Sequence, residues 1–221
     1  MTLELCIKLE SDATFGRGEG VAGLVDTEIE YDLTTGLPFI RGRTLKGLLV
    51  EECANVMFSL GPMADDFAAA AQFLFGQTSS RLDDEALLHF GPATFPDELQ
   101  QAVRVEIATE RLTAVRILNS LTGIRRQTAV DEGSGAPKEG SLRAMRVLLR
   151  DTELTAALDF VEAPGPTEMA LLAACVRGLR RAGLGRTRGS GRVTAALLQD
   201  EQDITATHLA HFRQLVQGGI A

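Results

Sequence analysis

Between Thr2 and Ser11 the chain alternates, with Leu3, Leu5, Ile7 and Leu9 on one side and Glu4, Cys6 and Lys8 on the other. That period of two predicts a half-buried strand. From Asp12 to Gly23 the pattern is lost and glycine recurs at positions 16, 18, 20 and 23, which predicts a mobile loop or a loose hairpin. Val25 to Tyr31 alternates again. A turn is expected at Thr34-Thr35-Gly36, where glycine can take a positive φ, followed by the short apolar piece Leu37-Pro38-Phe39-Ile40. The period then changes. Leu45, Leu48, Leu49, Cys53, Val56, Met57 and Leu60 recur at spacings of three and four, an amphipathic helix with Thr44 as its cap and Gly61-Pro62 as its stop. A second short helix is expected from Asp66 to Phe75, ended by Gly76. A polar loop follows at Ser79 to Glu85, and a buried strand that includes His89 at Ala86 to Ala93.

In the second half, alternation of Val103, Val105 and Ile107 against Arg104, Glu106 and Ala108 predicts a strand over Val103 to Thr113. Leu121 to Gly140 holds four glycines and Pro137 but no core pattern, so it should project as an extended hairpin or flexible arm. Ser141 to Leu149 and Leu154 to Val161 read as strands. Pro164-Gly165-Pro166 is a turn, Thr167 can cap a helix running to Ala182, and Gly183 to Arg192 is a loop before a last strand, Val193 to Leu198. Thr205 to Val216 is a closing helix. The order β, loop, α, β, insertion, β, α, β predicts an α+β, ferredoxin-like (RNA-recognition-motif-like) core in a single domain, residues 1–221, with an insertion at about 111–150.

Composition changes this picture little. Hydrophobic residues make up 45% of the chain, enough for a core, and aromatics are few: ten Phe, one Tyr and no Trp. Cys6, Cys53 and Cys175 lie far apart and form no C-x-x-C, which suggests reduced thiols in a cytoplasmic protein. Neither a signal peptide nor a membrane span is expected. Charge changes more. The net charge of −8 argues against a simple basic nucleic-acid binder, but the charges are segregated. Residues 41–46 carry +3, residues 111–150 carry +5 and residues 177–192 carry +6, which leaves −22 for the remainder. A basic groove on an acidic body fits this, and so do scattered surface arginines.

Arg41-Gly42-Arg43-Thr44-Leu45-Lys46-Gly47 has three cations and no acid. At a helix start it would form an anion site, most naturally for phosphate. The loop Gly183 to Arg192 (Gly-Leu-Gly-Arg-Thr-Arg-Gly-Ser-Gly-Arg) follows a helix and precedes a strand. This is the wrong order for a dinucleotide fingerprint, and no GKS or GKT occurs for a P-loop. What remains is backbone that a polyanion can approach closely with arginine forks nearby, or else a plain helix-to-strand turn. Asp26 alone reads as a turn or capping residue, and Glu28, Glu30 and Asp32 beyond it as a solvated acidic strand face. His208 and His211, three apart on the closing helix, lack a Cys or clear carboxylate partner for metal. No G-x-S-x-G supports a serine triad.

Three motifs in order resemble the RAMP superfamily of CRISPR effector proteins. Asp26, Asp32 and the segment Gly36-Leu37-Pro38-Phe39-Ile40-x-Gly42-x-Thr44-Leu45-Lys46-Gly47 resemble the family's aspartate-containing G-x-P-x-I segment. Leu121 to Leu142 resembles its thumb, and Gly183-Leu184-Gly185 through Gly189-Ser190-Gly191-Arg192-Val193 its glycine-rich loop. Arg41 stands where the family usually has Pro, and Arg43 where it has Ser. Within the superfamily the chain looks most like the repeated backbone subunit of type III (Csm/Cmr) complexes. That resemblance implies a filament of copies on a CRISPR guide RNA, other effector subunits as neighbours, and a thumb that kinks the guide–target duplex. It implies cleavage of target RNA by Asp26, with a divalent ion such as Mg2+ supplied at the RNA rather than in a protein cage. It places Arg41, Arg43, Thr44, Lys46, Arg125, Arg126, Lys138, Gly185, Arg186, Arg188, Gly189, Ser190 and Gly191 on RNA. A non-catalytic structural subunit of the same kind of complex is the alternative.

Overall fold

The computed structural model describes residues 2–76, 86–131, 133–136, 138 and 140–218. Strand β1 (Leu3–Leu9) lies at the centre of a five-stranded antiparallel sheet. It pairs with β5 (Glu153–Phe160) in the register Leu5↔Ala156 and with β6 (Val193–Gln199) in the register Leu5↔Leu197. β2 (Leu88–Phe90) forms the outer edge beside β5, and the two-residue β7 (Gln202–Asp203) the edge beside β6. The spatial order β2-β5-β1-β6-β7 is the ferredoxin-like arrangement expected from the sequence, with β7 added.

The alternation read from β1 is the burial pattern. Leu5, Ile7 and Leu9 are buried together with Leu154, Ala156 and Leu158 of β5 and Val193, Ala195 and Leu197 of β6. Helix α1 (Gly42–Leu60) and helix α5 (Pro166–Gly178) cover that face, and α6 (Thr205–Gly218) packs on α5. Burying these side chains, at about 1.5–3 kcal/mol each, is the main force holding the two layers together. The other face of β1, β5 and β6 carries Glu4, Lys8, Thr155, Asp159 and Thr194 and no aromatic ring. The stacking platform with which RNA-recognition motifs hold bases is therefore missing from it.

α1 begins at Gly42, with Arg41 at its cap position and no side-chain cap. Thr44 sits inside the first turn and does not cap it, a correction to the expectation from sequence. Gly42 is needed there, because a Cβ would lie 1.9 Å from the Phe90 carbonyl oxygen. Gly61 ends the helix, and a 3-10 stretch (Gly61–Phe67) leads into α2 (Ala68–Phe75). The helix expected from Thr167 to Ala182 starts at Pro166 and ends at Gly178. The polar loop expected at Ser79 to Glu85 lies outside the described residues.

Between β2 and β5 lie α3 (Asp97–Ala108) and, within the span 111–150 expected as an insertion, α4 (Ala114–Leu121) and the hairpin of β3 (Thr122–Gln127) and β4 (Arg143–Leu148). The strand expected at Val103 to Thr113 is mostly α3. Val103 and Ile107, four apart, face inward while Val105 is exposed. Asp97 and Glu98 occupy the first turn, where carboxylates favour a helix N-terminus. The strand expected at Val25 to Tyr31 is instead a run of single bridges: Val25↔Val21, Thr27↔Met145, Ile29↔Gly16 and Tyr31↔Pro38. No helix among the described residues is long and apolar enough to cross a membrane.

Candidate functional site

The glycine-rich loop lies between α1 and the outer end of the β3–β4 ladder, where Gln127 pairs with Arg143, with a cavity on each flank. One, of about 510 Å3, is walled by Thr44, Gly47 and Glu51 of α1, by Thr14 to Gly16, and by Gly183 to Thr187. The other, of about 460 Å3, lies between Gly185, Thr187 and Arg188 and the hairpin residues Gln127, Ser141 and Arg143. Gly185 and Thr187 line both, so the loop is a ridge along one trough. Its two ends differ. Gly191, at φ 68°, is buried, and a Cβ there would meet the Ala182 carbonyl oxygen at 1.9 Å. Its N–H donates to the Asp12 carbonyl at 2.9 Å. Gly191 thus holds the loop to the body. Gly189, at φ 90°, has nothing within 4 Å of its would-be Cβ. There the backbone is open to a ligand, and glycine relieves the left-handed strain.

The predicted cations divide by partner. Arg186 places its two terminal nitrogens on the two carboxylate oxygens of Glu51, at 2.9 and 2.8 Å. Arg41 is paired with Glu30 and Arg125 with Asp12. Asp12 also accepts the Arg150 N–H at 3.1 Å, so that pair is part of the hairpin's foot. Among the described residues no ion pair reaches Arg43, Lys46, Arg126, Lys138 or Arg188. Arg43 stands one turn before Gly47 on α1, and Thr44 lines the larger cavity. Ser190 is half-buried next to Gly185. At the hairpin tip, Asp131 accepts the Ser134 N–H and hydroxyl, each at 2.9 Å, and these bonds hold its carboxyl below the usual range.

Asp26 is exposed and joined to β4 by two bonds. Its N–H donates to the Ala144 carbonyl at 2.7 Å, and its Oδ2 accepts the Ala144 N–H at 2.7 Å. Asp26 is thus a latch at the outer end of the hairpin ladder, where Ala144 pairs with Arg126, and among the described residues no bond reaches Oδ1. The acidic strand face expected beyond it is not a face. Asp32 closes the Thr34–Thr35 turn through one oxygen, and Glu30 reaches Arg41. Glu28 is buried, accepting the Ile29 N–H at 2.9 Å and Arg146 Nε at 2.8 Å. Arg146 in turn donates to the Thr122 hydroxyl at 3.1 Å. This buried network ties the Asp26 segment to both hairpin strands. Sequence reasoning missed it because a carboxylate within an alternating polar set gives no sign of burial. Glu51 was missed as well, although its place seven residues after Thr44 on one helix face was a usable signal.

Other candidates contribute no site. His89 is exposed on edge strand β2, not buried in a core strand. Burial, and then the charge of neighbouring His211, lower the His208 pKa. Among the described residues no group of three His, Cys, Asp or Glu could hold a metal. Cys53 and Cys175 are neighbouring buried thiols on α1 and α5, and Cys175 is pushed well up by the Cys53 thiol and by burial. Burial and then the charge of Glu153 push Cys6 up to about 12.

Comparison with solved structures finds the same fold in CRISPR complexes. A chain of the cryo-EM structure of the Type III-B Cmr-beta bound to cognate target RNA is similar with a TM-score of 0.63 at 14% identity, covering 91% of this chain and 99% of that one. The apo state of Type III-B Cmr-beta gives 0.62 at 14% identity, with the same coverage. A chain of a Type IV-B CRISPR complex gives 0.56 at 14% identity, covering 91% of this chain and 92% of the other. At that identity the likeness is one of fold. No curated protein matches. The family model of the RAMP superfamily matches residues 6–194, a span that takes in the second half of the central strand, the Asp26 segment, the hairpin and the whole glycine-rich loop. On that match the chain belongs to the RAMP superfamily.

Proposed function

We propose that this protein is a CRISPR-RNA-binding backbone subunit of a type III effector complex, and that it also cuts target RNA. The observation that carries the binding half is the trough. A glycine ridge with open backbone at Gly189 lies between α1 and the outer end of the hairpin ladder, while Arg43, Lys46, Arg126 and Arg188 have no ion-pair partner among the described residues. Such a surface grips phosphates without reading bases, and guide–target pairing supplies the sequence information. The RAMP match and the neighbours' presence in CRISPR complexes, one of them bound to target RNA, support the choice of guide RNA over other polyanions. Copies of the chain and other effector subunits are the partners in this reading. The test is whether the purified chain carries a discrete short RNA and runs as an oligomer, and whether Lys46→Ala lowers the slope of log affinity against log salt by about 0.7–0.9. An unchanged slope removes Lys46 from the phosphate contacts.

For cleavage, RNA brings its own nucleophile, the 2′-OH, and a hairpin that splays a base aligns it for in-line attack on the adjacent phosphorus; a 2′,3′-cyclic phosphate forms, the bond to the 5′-oxygen breaks, and that oxygen leaves with a proton from water. Asp26 Oδ1 is the oxygen free to accept that proton, since Oδ2 holds Ala144. A divalent ion, Mg2+ in this reading, would find the same single protein oxygen and would be held mainly by RNA; it would stabilise the charge developing at the phosphate. The specific alternative is that Asp26 is only the latch, in a structural subunit. Asp26→Asn separates the two, because asparagine keeps an acceptor for Ala144 and loses the base. Cleavage by the assembled complex should fall about 100-fold or more, within the usual range for a lost general base, with RNA binding intact. Cleavage at the parental rate makes Asp26 a latch.

A further inference from the structure

The ligand position at Arg186 is already filled by part of the protein itself. Both oxygens of Glu51 meet both terminal nitrogens of Arg186, at 2.8 and 2.9 Å. This is the forked geometry an arginine offers equally to a carboxylate or a phosphate. Both residues line the larger cavity of the trough. Arg186 is held on the loop side as well, where its carbonyl accepts Arg181 Nη1 at 2.6 Å. Its backbone is therefore fixed while its fork is exchangeable. Among the described residues the Glu51 carboxylate has no other hydrogen-bond partner. The two side chains are 48% (Glu51) and 36% (Arg186) exposed, so water competes for both and the pair is easily opened. The Arg125–Asp12 pair differs, because Asp12 is also bonded to the Arg150 N–H and its side chain is only 20% exposed.

We propose that Glu51 is a built-in competitor for phosphate. It occupies the Arg186 fork in the free chain, and the backbone of an RNA strand displaces it. This rests on the RNA-binding reading above and adds a determinant of selectivity to it. An isolated phosphate must pay for opening the pair with one contact. A strand that also engages Arg43, Lys46 and Arg188 spreads that cost over several. Glu51 thus lowers by one common factor the affinity of every polyanion that uses the Arg186 fork, a loss that a strand with several further phosphate contacts outweighs and a short or stray polyanion does not. It gives a reason for a carboxylate to stand in the wall of a basic trough.

The test uses the full chain, free of RNA, and a fluorescein-labelled oligouridine followed by anisotropy across a salt series. Glu51→Gln should tighten binding by about fivefold, the most an exposed ion pair commonly shifts an equilibrium, and should steepen the salt slope by roughly one phosphate contact. In Glu51→Gln/Arg186→Ala the gain should vanish. Unfolding midpoints in urea report whether each variant is folded. Equal or weaker binding by Glu51→Gln overturns the proposal, as does a gain that persists without Arg186. Lys46→Ala and Arg188→Ala separate this from the broader reading. If they weaken binding while Glu51→Gln changes nothing, only the competitor role fails. If no variant alters binding, the trough is not the RNA site and both readings fail.

Discussion

Of the arginines that face a glutamate, two do so with opposite consequences. Arg146 and Glu28 have side-chain exposures of 6% and 1%, whereas Arg186 and Glu51 have 36% and 48%. Inside, neither charge can return to water, and every remaining polar atom needs a partner. Thr122 and the Ile29 N–H meet part of that need. The buried pair therefore fixes geometry: it holds the Asp26 segment against the hairpin and cannot be given up. At the surface, water screens the same chemistry and the net worth falls to about 0–1 kcal/mol. That weakness makes the outer pair exchangeable for a ligand. An arginine with a partner is thus not excluded from binding; its burial decides.

The comparison is broken most directly by removing each arginine. Arg146→Ala leaves Glu28 buried without its ion partner, and should cost about 3–5 kcal/mol in urea unfolding. Glu28→Leu with Arg146→Met should recover much of that loss, because apolar groups of similar size often replace a buried pair without penalty. Arg186→Ala should cost less than about 1 kcal/mol. Similar losses for the two arginines would show that burial does not separate them. A second contrast lies within the glycine-rich loop. Gly191→Ala sets a Cβ against the Ala182 carbonyl and should cost roughly 2–4 kcal/mol in the same assay, from overpacking plus left-handed strain. Gly189→Ala meets no atom and should cost about 1–2 kcal/mol, from strain alone.

The core was the most legible part of the sequence, because burial there follows period. Leu3 to Leu9 and the α1 apolar positions each name their element and inner face without outside information. Val103 to Ile107 misled because a few β-branched residues alternate by chance within a helical turn, and only the Asp97–Glu98 start distinguishes the two. The three basic segments were legible as charge, but their pairing was not. Arg41, Arg125 and Arg186 meet carboxylates 11, 113 and 135 residues away, distances over which no local pattern acts. Glu28 shows the same limit from the acidic side. Its alternation with Glu30 suggested a wet face, and its partner lies 118 residues on. Asp26 was singled out only through family likeness; nothing local points to the Ala144 latch.

The smallest expected effect concerns a third kind of charge, one held at the surface by hydrogen bonds rather than by an ion pair. Asp32 Oδ1 accepts from the Thr34 hydroxyl at 2.5 Å, the Thr34 N–H at 3.0 Å, the Thr35 N–H at 2.7 Å and the Thr35 hydroxyl at 2.9 Å. The Thr34 hydroxyl first, and then the Thr35 N–H, hold its carboxyl below the ordinary range. The folded state therefore prefers the charged form more than the unfolded chain does. The resulting stability is fully present above the unfolded value of about 3.9 and is lost as pH falls through the lower folded value. Because Asp32 is exposed, solvent discounts the gain to less than about 1 kcal/mol. Asp32→Asn keeps an acceptor for the turn but cannot titrate. Its urea midpoint should sit slightly below that of the parent at neutral pH and converge with it in acid. If the two curves stay parallel down to the lowest pH at which the fold survives, the Asp32 carboxylate adds nothing beyond its shape, and hydrogen bonds at this surface are as exchangeable as the Arg186–Glu51 pair.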